Sequence, residues 1–188
     1  MSPQTARRLS LYEQLMALPE GLIGEIIGGQ LRTQPRPAWS HGLAASRLGA
    51  DIEGPYGRGR GGPGGWWIID EPEVHFVLDT EVVVPDIAGW RRERMPSPPE
   101  GHKVQVVPDW VCEILSPSSQ STDREEKMPL YANYGVRFAW LVDPKTRTLE
   151  AYELADTGWR PLGVFHDNDM VSVAPFDAVV IRLADLWA

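Results

Sequence analysis

Apolar positions recur with helical spacing in two stretches of the chain. Residues 5–18 carry leucines at helical intervals and end before Pro19, which predicts an amphipathic helix. Residues 37–53 predict a second helix, because their apolar face repeats every three or four residues. That face consists of His41, Ala44, Ala45, Leu48 and Ile52.

Short apolar runs predict strands in most of the remaining chain. Residues 22–27 and 30–33 flank Gly28-Gly29, and paired glycines suit the tight turn of a β-hairpin. Beyond the glycine-rich loop 54–65, strands are expected at 66–69, 74–78, 82–90 and 104–115. The last two are apolar on both faces, as in strands that are covered on both sides. Later strands are predicted at 138–143, 148–153, 159–164, 171–173 and 179–182.

A third helix is predicted between two of these strands. Thr122 and Glu125 have capping-box spacing, and Gly135 follows the expected end at Tyr134. Pro129 lies inside this helix, lacks a backbone donor and is expected to kink it. Helices interspersed with strands predict an α/β (α+β) fold with a mixed central sheet, and a single domain spanning residues 1–188.

Composition limits the class of protein. A chain of 188 residues, 43% hydrophobic and 23% charged, suits one well-cored soluble domain. The first ten residues are polar, and no apolar run approaches the roughly 20 residues of a membrane span. The single cysteine, Cys112, excludes an internal disulfide and a cysteine zinc cage. We therefore expect a cytoplasmic protein without membrane association.

The formal net charge of −8 argues against a general nucleic-acid coat protein, which is normally basic. The same charge is compatible with a nuclease whose contact surface is locally basic. In such an enzyme, the metal site accounts for part of the acidity.

Two acids stand at strand-like runs where burial is costly. Asp86 follows the run 81–85, and Glu113 lies within the apolar run 109–115. Buried carboxylates require compensation by a cation or a lysine. Asp109 lies about 13 Å along the strand from Glu113, too far to share one ion. Asp86 is the better partner for Glu113 if their strands are neighbours.

Lys127, on the third helix, completes a set suited to metal-assisted phosphodiester hydrolysis. Its ammonium could orient the attacking water or stabilise charge on phosphoryl oxygens. Structural explanations stand beside this one: Lys127 as a solvated lysine paired with Asp123, and Asp86 as a turn residue. Glu113 is the hardest of the three to explain without a function.

These residues lie in longer motifs that resemble a known family. The strongest is Glu113-Ile114-Leu115-Ser116-Pro117-Ser118, followed by Lys127, a tyrosine, Gly135-Val136 and the stretch 140–144. With 24–31, 83–88 and 107–112, the likeness covers residues 20–155. The chain resembles the PD-(D/E)XK nuclease superfamily, and within it the restriction-endonuclease-like group called Uma-two.

The resemblance implies a restriction-endonuclease-like fold, with a mixed sheet flanked by helices and Mg²⁺ or Mn²⁺ held by Asp86 and Glu113. It adds Glu25 as a further ligand or supporting acid. His41 matches a histidine of the similar family, although a core or helix-start histidine would explain it too. The superfamily pattern expects a lysine where this chain has Leu115, which makes Lys127 the candidate replacement.

The leading hypothesis is thus a metal-dependent endonuclease acting on DNA. Cutting both strands of a duplex would favour a homodimer. A kink at Pro129 that turned Lys127 away would favour a second hypothesis, an inactive nuclease-like module that binds protein or nucleic acid. A third is a hydrolase of similar metal chemistry acting on another phosphate ester or nucleotide.

Overall fold

The computed structural model of the chain describes residues 7–187. The strands are β1 Leu22–Ile27, β2 Gln30–Pro35, β3 Trp66–Asp70, β4 Glu73–Val77, β5 Glu81–Val83, β6 Ile87–Arg91, β7 Lys103–Val104, β8 Trp110–Ile114, β9 Phe138–Asp143, β10 Thr148–Ala155, β11 Gly158–His166, β12 Met170–Val171 and β13 Ile181–Arg182. The α-helices are α1 Leu11–Met16, α2 Trp39–Ile52, α3 Gln120–Thr122 and α4 Met128–Asn133. Shorter helical turns are Glu53–Gly57, Asp123–Lys127 and Leu183–Asp185.

The strands form two mixed sheets and one small ribbon. A five-stranded sheet has the order β2-β1-β5-β4-β7, with β4 and β7 parallel and the other pairs antiparallel. A six-stranded sheet has the order β11-β10-β9-β8-β6-β3, with only β8 and β9 parallel. Strands β12 and β13 pair separately. The predicted α+β class with mixed pairing is confirmed, but the strands are divided between two sheets rather than one.

The predicted continuous strand 82–90 is wrong, because it breaks at Pro85. Strand β5 belongs to the five-stranded sheet and β6 to the six-stranded sheet. Pro85 has no amide hydrogen for a ladder, and the Val84 amide donates to the Glu25 carboxylate instead of to a strand. Asp86 therefore lies where the chain crosses from one sheet to the other.

The predicted strand 104–115 also divides. Only Lys103–Val104 and Trp110–Ile114 are strands. Asp109 precedes β8 and is buried, and its carboxylate accepts from the Arg91 amide and pairs with Arg94 at 2.7 Å. It is thereby kept apart from the site of Glu113.

Strand β8 separates two apolar cores. Cys112 and Trp110 pack in the core that contains α2, whereas Val111 and Leu115 pack in the core that contains Tyr131. Side chains alternate along a strand, so Glu113 points to the Tyr131 side, opposite Cys112. This side is covered by the helical segment that carries Lys127.

The helices differ from prediction at their ends. Helix α1 begins at Leu11, where Ser10 forms a capping box with Glu13, so the predicted start at residue 5 is wrong for the described residues. Residues 5 and 6 lie outside the described range. Helix α2 occupies 39–52, close to the predicted 37–53.

The lysine segment begins earlier than its predicted Thr122 cap. Thr122 has helical backbone angles, and the Gln120 amide already donates to the Ser116 carbonyl. A π-helical turn at Asp123–Lys127 precedes Pro129, which lies in the first turn of α4. Proline is tolerated there because a first-turn amide needs no helical acceptor. The expected kink therefore does not turn Lys127 away from the sheet.

Candidate active site

Lys127 lies at the centre of a buried ionic cluster. Its Nζ is 2.8 Å from Glu113 Oε1, 3.0 Å from Glu25 Oε1 and 3.6 Å from Asp123 Oδ1. The lysine side chain is only 1% exposed. Lys127 thus contacts two other predicted site residues, Glu113 and Glu25, and the alternative of a solvated lysine is wrong.

Each acid of the cluster comes from a different element. Glu25 is on β1, Glu113 is on β8, and Asp123 lies one helical turn before Lys127. The Val84 amide donates to Glu25 at 2.8 Å and holds that carboxylate in place. Since β1 and β8 belong to different sheets, the Lys127 ammonium links the five-stranded sheet to the six-stranded one.

Tyr131 is a cluster member that the sequence reasoning missed. Its hydroxyl donates to Glu113 Oε1, and the side chain is fully buried. Tyr131 follows Lys127 by four residues, a spacing that places both side chains on one side of a helix. That spacing was the available signal, but it indicates function only when the position of Glu113 is known.

Burial and charge shift the acid–base properties of the cluster. Burial raises the pKa of Glu113 well above its usual value; Lys127 opposes the rise, and nearby acids such as Asp123 add to it. For Lys127, burial lowers the pKa, but the charges of Glu113 and Glu25 outweigh burial and raise it well above the usual value. The ammonium is therefore kept charged, and the cluster carries an excess of acids over bases.

Asp86 lies beside this cluster and joins it through the backbone of β8. Its Oδ2 accepts from the Ile114 amide at 2.6 Å, directly after Glu113. Its Oδ1 is 3.2 Å from His41 Nε2. The structure thus brings the tentative site residue His41 to the predicted metal ligand. The Asp86 side chain is 18% exposed, unlike the enclosed acids around Lys127.

His41 is held by Asp86 on one side only. Burial lowers the pKa of His41, but its hydrogen bond to Asp86 and the negative charges of Asp86, Asp123 and Glu71 together outweigh burial and raise that pKa. His41 Nδ1 is buried and has no hydrogen-bond partner among residues 7–187. Such a buried nitrogen without a partner is uncommon in proteins.

A pocket opens to this half of the site. Its volume is about 170 Å³, and its lining includes His41, Asp70, Glu71 and Asp86. Lys127, Glu25 and Glu113 do not line it. We call this space the acid pocket.

The donor chemistry of the site suits a hard divalent cation. Carboxylates surround one lysine and one histidine: Glu25, Glu113, Asp123 and Asp86. Within residues 7–187 no three His, Cys, Asp or Glu side chains are arranged to hold an ion by themselves. Mg²⁺ is commonly bound by one or two carboxylates plus water and substrate phosphates, so the types of donor present are compatible with such an ion.

The part of the chain that the structure describes has no helix long and apolar enough to cross a membrane.

Comparison with known proteins agrees with this architecture. Residues 9–184 match the family Uma2, described as "putative restriction endonuclease". The match spans nearly the whole chain, so the chain belongs to this nuclease-like family. None of the curated proteins compared matches the sequence.

A solved structure is similar over almost its full length. It is a crystal structure described as a "putative nuclease belonging to DUF820" from Anabaena variabilis, with a TM-score of 0.74 and 24% identity. The alignment covers 95% of this chain and 97% of that one. This likeness shows that the two proteins share a fold.

Proposed function

We propose that the protein is a metal-dependent endonuclease that hydrolyses phosphodiester bonds in DNA. The observation that carries the proposal is the convergence of Asp86, Glu113 and Lys127. Lys127 Nζ lies 2.8 Å from Glu113, and Asp86 accepts from the amide of the next residue along β8. Membership of a family described as "putative restriction endonuclease" supports the reaction class.

Asp86 and Glu113 would supply carboxylate oxygens to Mg²⁺ or Mn²⁺, and the bound ion would lower the pKa of a water and stabilise charge on the phosphate. His41 orients the Asp86 carboxylate and provides a proton donor beside the acid pocket. Tyr131 and Lys127 fix the rotamer of Glu113. Glu25 holds the ammonium of Lys127 from the opposite sheet.

The position of Leu115 supports Lys127 as the replacement for the expected strand lysine. Leu115 is buried in an apolar core. Lys127 reaches Glu113 from the helical segment instead. Its charge then lies next to Glu113 although the strand position is apolar.

One observation favours a second candidate, an inactive module that uses the nuclease-like fold to bind protein or nucleic acid. Lys127 is 1% exposed and already has three carboxylate neighbours. A lysine so placed can serve folding alone. Lys127 touches a reacting phosphate only if the helical segment moves when substrate binds.

Substitution of the two metal ligands tests the first candidate. Asp86→Asn and Glu113→Gln keep the side-chain shape but remove a negative charge, so both should abolish Mn²⁺-supported cleavage of single-stranded and duplex DNA. Asp156→Asn, at an exposed hairpin tip, is the matched control and should cleave as the wild type does. Full activity in either site variant would remove the metal-ligand assignment.

Calorimetric titration with Mn²⁺ separates the candidates without relying on turnover. An enzyme of the proposed type gives a binding heat that Asp86→Asn abolishes, whereas an inactive module gives none. Mononucleotide substrates in the same cleavage panel test the remaining hypothesis, a phosphate-ester hydrolase.

A further inference from the structure

A second and larger pocket lies beside the acid pocket. Its volume is about 520 Å³, and its walls are mostly apolar. Trp67, Ile69 and Trp90 form part of the lining from the six-stranded sheet, and Pro98 and Pro99 contribute from the loop between β6 and β7. We call it the aromatic pocket. None of the roles proposed above uses it.

The two pockets share a wall. Asp70 and Glu71 line both of them. The Glu71 amide donates to the Asp86 carbonyl at 3.0 Å, which ties this wall to the metal-ligand position. A strand with a phosphate at Asp86 would therefore lie against the wall that the two pockets share.

The polar groups of the aromatic pocket are chiefly hydrogen-bond acceptors. Glu73 lines it, and Glu73 Oε1 accepts from the Tyr12 hydroxyl and from His75 Nε2, both at 2.7 Å. His75 Nδ1 accepts from the Asp79 amide, so the ring proton is on Nε2 and points to Glu73. Both of these donors reach Oε1, and Oε2 keeps acceptor capacity for a ligand.

This chemistry selects among the parts of a nucleotide. Asp70, Glu71 and Glu73 repel a phosphate, whereas a nucleobase is neutral and planar and carries N–H donors. Bases stack well on aromatic side chains, and an unpaired base can be read through hydrogen bonds to its pairing edge. An adenine, cytosine or guanine amino group complements the free acceptor of Glu73, whereas thymine has no amino group and offers only its ring N3–H.

We propose that the aromatic pocket binds an unpaired, amino-bearing nucleobase of the DNA strand, stacked on Trp67 and hydrogen-bonded to Glu73. The inference rests on the proposed function for the identity of the strand. It makes single-stranded DNA, or a duplex from which one base is extruded, the preferred substrate.

Binding with Ca²⁺ in place of Mn²⁺ tests the pocket without turnover. The probe is a single-stranded oligonucleotide with 2-aminopurine at one position, because the fluorescence of this base reports stacking. Trp67→Leu should weaken binding about tenfold, since stacking on one aromatic side chain is lost. Wild-type protein should change the fluorescence at one position of the strand, and Trp67→Leu should not.

Trp159→Leu is the matched control. Trp159 is half-buried like Trp67, and each indole donates to a backbone carbonyl, Met128 for Trp159 and Met95 for Trp67. Trp159 lies on β11 and does not line the pocket. The Trp159→Leu variant should bind the strand with an affinity within twofold of that of the wild type. Equal affinity of folded Trp67→Leu and Trp159→Leu would overturn the proposal.

Glu73→Gln gives a second test of the pocket, which remains usable if Trp67→Leu fails to fold. Glutamine can still accept from Tyr12 and His75 but presents an amide donor where the free acceptor was. The preference for adenine over thymine at the pocket position should fall severalfold or reverse. An unchanged preference for adenine over thymine would overturn the proposal. The proposal would also be overturned if free AMP competed for the pocket as tightly as the strand does.

Cleavage assays keep the two proposals separable. Wild-type cleavage that needs Asp86, together with affinities insensitive to Trp67 and Glu73, refutes only the base pocket. Pocket-dependent binding without cleavage by any divalent ion refutes the nuclease proposal, and the base pocket then belongs to a binding module.

Discussion

Lys127 has the most demanding environment in the site. Its ammonium is enclosed, and its charge is balanced by Glu25 and Glu113 from two different strands. Breaking a buried ionic group by removing one partner is costly, because the remaining charges are left without compensation. Lys127 therefore matters for folding as well as for the proposed chemistry.

Lys127→Met should lower the free energy of unfolding by roughly 3–5 kcal/mol, because two buried carboxylates lose their counter-charge. Urea denaturation measures this change. Lys145→Met is the control, since Lys145 is exposed and the change should stay within about 0.5 kcal/mol. Equal stability of the two variants would contradict the importance given to the cluster.

The buried residue Cys112 allows the packing of the core beside β8 to be tested. Burial raises the pKa of the Cys112 thiol well above its usual value, and the charges of Asp86 and Glu113 add to the rise. Only the thiolate reacts quickly with disulfide reagents. At pH 8 the native protein should react with such a reagent only as fast as it unfolds, and urea should expose one thiol per chain. Rapid labelling of the native protein would show that this core is open.

Single residues show where sequence reasoning reached the site and where it stopped. Asp86, Glu113 and Lys127 were found because carboxylates in apolar runs need compensation. Tyr131 was missed, and Asp123 was considered only as the partner of a solvated lysine. Their contacts depend on how a helical segment packs over β8, which local spacing does not encode.

At the scale of elements, the lysine segment is anchored to the six-stranded sheet by Arg124 and Glu150. Arg124 forms an ion pair with Glu150 on β10, and the Tyr152 hydroxyl donates to the same carboxylate. The hydrogen bond from Arg124 lowers the pKa of Glu150 below its usual 4.5. This contact positions the turn that presents Lys127.

Glu150→Gln should destabilise the protein by about 1 kcal/mol at pH 7, because a partly exposed ion pair is lost. A carboxyl with a lowered pKa stabilises the fold above its unfolded-state pKa, and the stabilisation is lost as the pH falls through the folded-state value. The difference from wild type should therefore shrink below about pH 4.5. Denaturation at a series of pH values measures this difference in stability. Glu20→Gln, which replaces an exposed acid, is the control. A stability difference that grows on acidification would contradict a stabilising ion pair between Arg124 and Glu150.

The elements also show which sequence signals were reliable. The Gly28-Gly29 hairpin was correct because both glycines adopt the positive φ of a tight turn. The strand through Pro85 was wrong because apolar continuity does not reveal a change of sheet. The predicted helix start at Thr122 was wrong, because the backbone hydrogen bonds of the lysine segment begin at Ser116.

For the molecule as a whole, charge should govern nucleic-acid binding. The chain carries a net charge of −8, and Asp70, Glu71 and Asp86 border the acid pocket. Phosphates approach such a surface only when cations offset it. The proposed homodimer on duplex DNA and the single-domain organisation stay predictions.

Ca²⁺ should therefore tighten the binding of an oligonucleotide, relative to EDTA, by about tenfold or more, as measured by fluorescence anisotropy at constant ionic strength. Asp86→Asn should bind better than wild type in EDTA, because one repelling charge is gone, and should lose most of the response to Ca²⁺. Asp156→Asn should behave as wild type. A response to Ca²⁺ that is independent of Asp86 would place the ion elsewhere.

The link that Lys127 makes between the sheets also affects how such a protein can change over generations. Loss of any one member of the trio Lys127, Glu25 and Glu113 endangers folding before it touches catalysis. If the proposed nuclease activity were lost, selection for a foldable chain would therefore still retain the trio. Asp86 is partly exposed, so its substitution should cost less folding free energy. A related chain that keeps the trio but lacks Asp86 would therefore be recognised as one that has lost the proposed activity.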